Sequence, residues 1–125
     1  MGNEQATDNN CIFCKIIRGE IPSQKLLDDE HFIAFRDIQP QAKTHLLVVP
    51  KRHVASVADA FAPGVPGGRD LMGQLYERAA ALAQAQGLWP GGYRCVINTG
   101  AHGGQTVFHL HLHVLGGEPL TGKFA

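Results

Sequence analysis

Three histidines, His109, His111 and His113, alternate with Leu110, Leu112 and Val114. Alternation of this kind is the period of a β-strand. The stretch 109–115 therefore reads as a strand with all three imidazoles on one face. Phe108, Leu110, Leu112 and Val114 then share the other face, which can be buried. A slip of one residue would drive three imidazoles into a core, so the register is strongly set. Three imidazoles in a row suit two kinds of chemistry. One is metal binding, since neutral imidazole is a common ligand for zinc and similar ions. The other is covalent catalysis at phosphorus, with a ring nitrogen as nucleophile.

Two further groups of residues bear on that choice. The segment 99–105 (TGAHGGQ) runs straight into the histidines. Gly100, Gly103 and Gly104 allow the backbone to approach a ligand and present N–H groups to it. Gln105 and Thr106 add neutral donors, a set that suits an anionic oxygen such as phosphate. Far upstream, Cys11 and Cys14 have the C-x-x-C spacing of a structural zinc site. The alternative for that pair is two small buried thiols. A metalloenzyme built on the three histidines is a competing reading, but alternate positions on a strand supply only two ligands readily. His31 is read as solvated surface, His102 has no clear task, and Cys95 is read as a small buried hydrophobe.

The rest of the chain must position these groups. At 125 residues, 44% of them hydrophobic, one domain with a sizeable core is expected. Eleven basic residues balance eleven acidic ones, which argues against a nucleic-acid polymer as partner. No apolar run approaches the roughly 20 residues that span a bilayer. Three cysteines without a signal peptide do not suggest a secreted disulfide scaffold. The expectation is a cytoplasmic protein with no membrane partner.

In chain order, residues 1–10 are polar and aperiodic and read as a disordered tail, with the domain over 11–125. Residues 11–18 read as a short helix closed by Gly19. Ile12, Phe13, Ile16 and Ile17 are too apolar for a free turn, and either join the core or wall a pocket. Residues 25–28 and 32–36 read as two strands of a hairpin. An apolar strand over 45–50 stops at Pro50, and a short helix follows His53. Residues 69–86 form the main helix, with Leu71, Leu75, Ala79 and Leu82 on one stripe and Gly87 at its end. Residues 93–98 read as a strand, and 116–125 as a loose tail. The pattern is α+β, with about five mainly antiparallel strands, one long helix and short helices.

At this point the chain resembles the histidine triad (HIT) family, whose signature is His-φ-His-φ-His-φ-φ with φ bulky and apolar. The resemblance extends through IFCKIIRGEIP (12–22), AFRDIQPQA (34–42), THLLVVPKRH (44–53), INTGAHGGQTVFH (97–109) and HVLGGEPL (113–120). The branch it is most similar to is that of the Hint proteins. The galactose-1-phosphate uridylyltransferase branch has Gln where His113 stands, and the dinucleoside-polyphosphate hydrolases lack Gly116-Gly117.

The resemblance implies a HIT-like fold and a hydrolase of purine nucleoside phosphoramidates and adenylates, of the AMP-lysine or AMP-NH2 type. It implies that His111 is the nucleophile, forming a nucleotidyl-histidine. His113 would contact the phosphate, His109 would support His111, His45 would stand behind the row, and Thr106 would lie near the leaving nitrogen. Asp37 would hold the ribose hydroxyls. Phe13, Ile16, Phe35 and Ile38 would form the base pocket, and Asn98, Gly104, Gln105 and Val107 the phosphate contacts. It further implies that His53 and His109 complete a structural zinc site with Cys11 and Cys14. Hint proteins are homodimers paired through the long helix and a strand edge. Ala79, Ala80, Ala81, Ala83 and Ala85 would permit that close approach, or would pack on their own sheet. A non-catalytic nucleotide-binding regulator with the same pocket is the second functional reading.

Overall fold

The computed structural model describes residues 8–122. Most of the expected tail, residues 1–7, lies outside the described residues, as do 123–125. Asp8, Asn9 and Asn10 form a turn whose Asp8 carboxylate accepts the Asn10 N–H (2.8 Å).

Five strands form one antiparallel sheet. They are β1 (Lys25–Asp28), β2 (Phe32–Arg36), β3 (Thr44–Pro50), β4 (Tyr93–Val96) and β5 (Leu112–Gly116). Their order is β1-β2-β3-β5-β4, so β4 is an edge strand. The β1–β2 turn is closed by the Asp29 carboxylate, which accepts from the backbone N–H groups of His31 (2.9 Å) and Phe32 (2.8 Å). Such local side-chain acceptors are why Asp favours turns.

The period of two sorts each strand between two layers. Phe32 and Ala34, Leu46 and Val48, and Leu112 and Val114 meet the long helix α3 (Gly68–Ala85), which faces them with Leu71, Leu75, Ala79, Leu82 and Ala83. On the other sheet face, Ile33, Phe35, Leu47 and Val49 pack with Phe13, Cys14 and Ile16 of α1 (Ile12–Ile17). Burying each such Leu, Ile, Val or Phe stabilises the fold by roughly 1.5–3 kcal/mol. A short helix α2 (Val57–Ala60) is capped by Ser56, whose hydroxyl accepts the Asp59 N–H (3.3 Å). The helix stripe is where the periodicity predicts it, and Gly87, at φ +74°, follows the last turn of α3.

Four expectations are corrected. The histidine strand does not begin at His109: β5 starts only at Leu112. The His109 carbonyl accepts from the side chain of His111 (2.7 Å), and the Leu110 N–H donates to Val54 (2.7 Å), so neither group is available to a strand ladder. The alternation survives: Leu110, Leu112 and Val114 are in the α3 core, and the histidines are not. Phe108 precedes it and is exposed, as is Ile12 on the outer side of α1. Finally, residues 117–122 are tethered. Glu118 accepts the Lys43 N–H (2.9 Å), and the Thr121 carbonyl accepts from Arg94 (2.6 Å).

Candidate active site and metal centre

The histidines lie on the α1 side of the sheet, and their hydrogen bonds assign their tautomers. A carbonyl only accepts, so a ring nitrogen beside one must carry a proton. His109 Nε2–H donates to the Pro50 carbonyl (2.7 Å). His111 Nδ1–H donates to the His109 carbonyl (2.7 Å). His111 Nε2 is thereby left as an unprotonated lone pair with no partner among the described residues.

The third histidine is set from behind. The Gln41 backbone N–H donates to His45 Nδ1 (3.0 Å), which puts the His45 proton on Nε2. That Nε2–H lies 2.9 Å from His113 Nδ1 and 3.4 Å from an Asp37 carboxylate oxygen. His113 Nδ1 therefore accepts, and His113 Nε2 carries a proton that can be donated to an anion. Burial favours the neutral form along the row. Burial pushes His113 down to about 4, helped by the charges of His111 and His45. Burial also lowers His111, against the bond to the His109 carbonyl, and lowers His45, against the pull of Asp37. A row of neutral imidazoles, one offering a lone pair and its neighbour a proton, can attack an electrophilic phosphorus while binding its oxygens.

Helix α1 walls the row. Phe13 stands edge-on to His111 (5.0 Å between centroids), His109 (5.9 Å) and Phe35 (5.7 Å). Phe13, Ile16 and Phe35 are brought together and buried, whereas Ile38 stands apart at 94% exposure. Asp37 reaches the site through His45, and its other oxygen accepts the Gln39 N–H (2.9 Å).

The glycine loop differs from expectation. Gly100 and Gly104 have positive φ (+74° and +85°), which only glycine adopts at little cost. That geometry folds the loop onto itself. The Gly103 and Gln105 N–H groups donate to the Gly100 carbonyl, and the Gly104 N–H to Ala101. Gln105 is 5% exposed, and its amide is spent on Gly100 N–H, Ala55 and Val107. Asn98 is turned to the Gly103 carbonyl (2.8 Å). The donors expected of Gly104, Gln105 and Asn98 therefore brace the loop. The backbone N–H groups of Thr106 and Val107, like those of Ala101 and His102, have no partner among the described residues. Thr106 is exposed beside a groove of about 350 Å³ that it lines with Ile12, His53 and Phe108. A second groove, about 570 Å³, opens past His113 between Gln41, Asn98 and Arg94.

Cys11, Cys14, His53 and His109 converge on one point, with their donor atoms all within 4.8 Å of one another. Cys11 Sγ is 3.2 Å and Cys14 Sγ 3.6 Å from His109 Nδ1; Cys14 Sγ is 3.3 Å and His109 Nδ1 is 3.1 Å from His53 Nδ1. The edges of a tetrahedron around zinc are about 3.4 Å for N–N and about 3.6 Å for S–N, from the usual zinc–ligand distances. Cys11 Sγ also caps α1 by accepting the Cys14 N–H (3.2 Å). Burial pushes the Cys14 thiol up to about 11, so a thiolate there calls for a cation beside it. Donor types, count, spacing and burial all fit zinc, with every position filled by protein.

Sequence reasoning missed three participants: Asp8 beside His53, the Pro50 carbonyl and the Gln41 N–H. The two backbone groups leave no trace in residue identity. Asp8 lies in a stretch without periodicity, where its only signal is closeness to the cysteine pair.

Comparison with known proteins agrees with this geometry. The family model described as HIT domain matches residues 18–120. The purine nucleoside phosphoramidase of Escherichia coli K12 is 45% identical over 109 residues, covering 87% of this chain and 88% of that one. The structure of a HIT family hydrolase from Legionella pneumophila Philadelphia 1 superimposes with a TM-score of 0.84 at 48% identity, covering 90% of this chain and 97% of that one. A histidine triad protein from Clostridium difficile gives 0.87 at 38%, covering 94% and 99%. The chain belongs to the HIT domain family, on its Hint-like branch.

Proposed function

We propose that this protein is a nucleotide hydrolase that cleaves purine nucleoside phosphoramidates and related adenylates through a nucleotidyl-histidine. The observation that carries the reading is the unprotonated Nε2 of His111, held by the His109 carbonyl inside a neutral histidine row. His111 Nε2 attacks the α-phosphorus, a P–N(His) bond forms, and the P–N bond to the leaving amine breaks. The His109 carbonyl stabilises the positive charge that develops on the imidazole. His113 Nε2–H and the Thr106 and Val107 N–H groups receive the phosphoryl oxygens, and the Thr106 hydroxyl bonds the leaving nitrogen, which takes up a proton from solvent water; the hydrolytic step returns one. Water then attacks phosphorus, and nucleoside monophosphate leaves with His111 restored. Gly104, Gln105 and Asn98 serve by bracing the loop. The base lies against Phe13, Ile16 and Phe35, with Ile38 as an outer flap.

Turnover of adenosine 5′-phosphoramidate by the purified protein tests the reading. Release of AMP at a rate proportional to enzyme supports it. Tight AMP binding without turnover would replace it with the regulatory, non-catalytic reading.

Asp37 is assigned to the ribose. Its carboxylate accepts hydrogen bonds from the hydroxyls, and a lost charge-assisted hydrogen bond costs about 1.5–3 kcal/mol. Ribonucleotide substrates are therefore expected to exceed 2′-deoxy analogues in kcat/KM by roughly tenfold to a hundredfold. Equal values on the two sugars would take Asp37 out of the site.

Zinc is assigned to Cys11, Cys14, His53 and His109. It supplies a structural cross-link between α1 and the start of the histidine row. We also assign a homodimer, formed by the outer face of α3 and the free edge of β4. Ala79 and Ala83 pack on their own sheet, whereas Ala80, Ala81 and Ala85 are exposed, as is Tyr76. Light scattering at micromolar concentration is expected to give twice the chain mass, and a single-chain mass would contradict the assignment. Among the described residues no helix is long and apolar enough to cross a membrane. The balanced charge gives no electrostatic footprint for a nucleic-acid polymer.

A further inference from the structure

We propose that Asp8 is a positioning residue of the metal centre, its carboxylate holding the outer ring nitrogen of His53 so that Nδ1 faces the metal. The inference rests on the zinc reading of the four-donor cluster.

The two histidines of the cluster are arranged alike. Each turns Nδ1 inward, at 3.1 Å from the other. His109 has its outer nitrogen fixed by the Pro50 carbonyl at 2.7 Å. His53 has its outer nitrogen 3.8 Å from a carboxylate oxygen of Asp8, with no other acceptor for it among the described residues. An imidazole bound to a metal through Nδ1 keeps its proton on Nε2 and becomes a stronger donor there. A carboxylate at that nitrogen fixes the tautomer and the ring plane and raises the ligand's basicity. At 3.8 Å the two atoms face each other just beyond hydrogen-bond distance. The side chain of His53 is only 25% exposed, so the ring has little freedom to turn away.

Asp8 is itself anchored to Cys11 by groups other than the oxygen that faces His53. Its carbonyl accepts the Cys11 N–H (3.3 Å), and its other carboxylate oxygen accepts the Asn10 N–H (2.8 Å). The turn 8–10 is thus fastened to Cys11, which leaves one carboxylate oxygen for the histidine. Among the described residues nothing else uses that oxygen.

Asp8→Asn separates charge from structure. The amide oxygen can still accept from Asn10, and the backbone contacts are kept, but the negative charge is lost. Zinc affinity of the full chain is measured by competition with a chromogenic chelator, and cobalt(II) affinity by thiolate-to-metal absorption. Asp8→Asn is expected to lower zinc affinity by roughly tenfold to a hundredfold, the usual effect of removing such an outer partner. Asp8→Glu, which keeps the charge, is expected to recover part of the loss. The metal-free forms of wild type and Asp8→Asn are expected to melt together, which a merely structural role for the turn would not give. Wild type that binds zinc while Asp8→Asn stays within about twofold of it would overturn the role of Asp8 alone. Wild type that binds neither metal would overturn the zinc reading and this inference with it, leaving the hydrolase reading untouched.

Discussion

His111→Ala is expected to lose several orders of magnitude in turnover while keeping most of its affinity for AMP. The nucleophile acts as part of a unit, and removing it leaves only binding and oxyanion stabilisation to accelerate the reaction. The imidazole is 7% exposed, so alanine leaves a cavity. That cavity sits beside Phe13 and the row rather than in the α3 core, which keeps the fold. AMP affinity is expected to persist because the residues proposed to hold base and ribose, Phe13, Ile16, Phe35 and Asp37, remain in place. Single-turnover kinetics with an adenosine phosphoramidate measure the first quantity, and calorimetric titration with AMP the second. Near-normal turnover by this variant would sink the covalent mechanism. His113→Ala provides the contrast, because it removes a donor to phosphate and leaves the attacking nitrogen, so its loss in kcat is expected to be smaller.

The second large effect is on stability. Protein purified without chelator is expected to carry about one equivalent of zinc. Cys14→Ser, or removal of the metal, is expected to lower the melting temperature markedly. A ligand that binds only the folded chain at a hundred times its Kd contributes about 2.7 kcal/mol. In a domain of this size, such an amount corresponds to a shift on the order of 10 °C. The size follows from where the cross-link sits. A metal held by the four donors would join residues 11 and 14 to residues 53 and 109, and so tie α1 to two distant segments. Cys14 is fully buried, and serine there leaves a hydroxyl among apolar neighbours. To separate the metal from that packing defect, the same comparison is made with His53→Ala, at a partly exposed position. Only traces of zinc, together with unchanged melting of both variants, would defeat the assignment.

The residues that carry the row also show how far a sequence reaches. The side-chain period of a strand is a local property, set by the pleat of neighbouring residues. The alternation around Leu110, Leu112 and Val114 was therefore legible by itself, as were the hairpin over residues 25–36 and the stripe Leu71, Leu75, Ala79, Leu82 on α3. Each of these elements reports only which of its own residues share a face. It does not report what the face meets.

What the face meets was decided by the tertiary structure. The tautomer of His111 depends on one carbonyl and that of His45 on one backbone N–H, and neither group is encoded by a residue type. The same applies to the glycine loop. Its composition announces conformational freedom, but the partners of its N–H groups follow from how it folds, and folding turned Gly103, Gly104 and Gln105 inward. Ile38 and Phe108 are apolar in sequence and exposed in space, because burial depends on whether another layer covers the position. The cysteine pair is the clearest division. The spacing of Cys11 and Cys14 is local, and one turn of helix brings both sulfurs to one side. His53 and His109 reach them only because β3 ends at Pro50 beside the start of the histidine row, under α1. That meeting spans nearly a hundred residues of chain, and only packing of the sheet between two helical layers creates it.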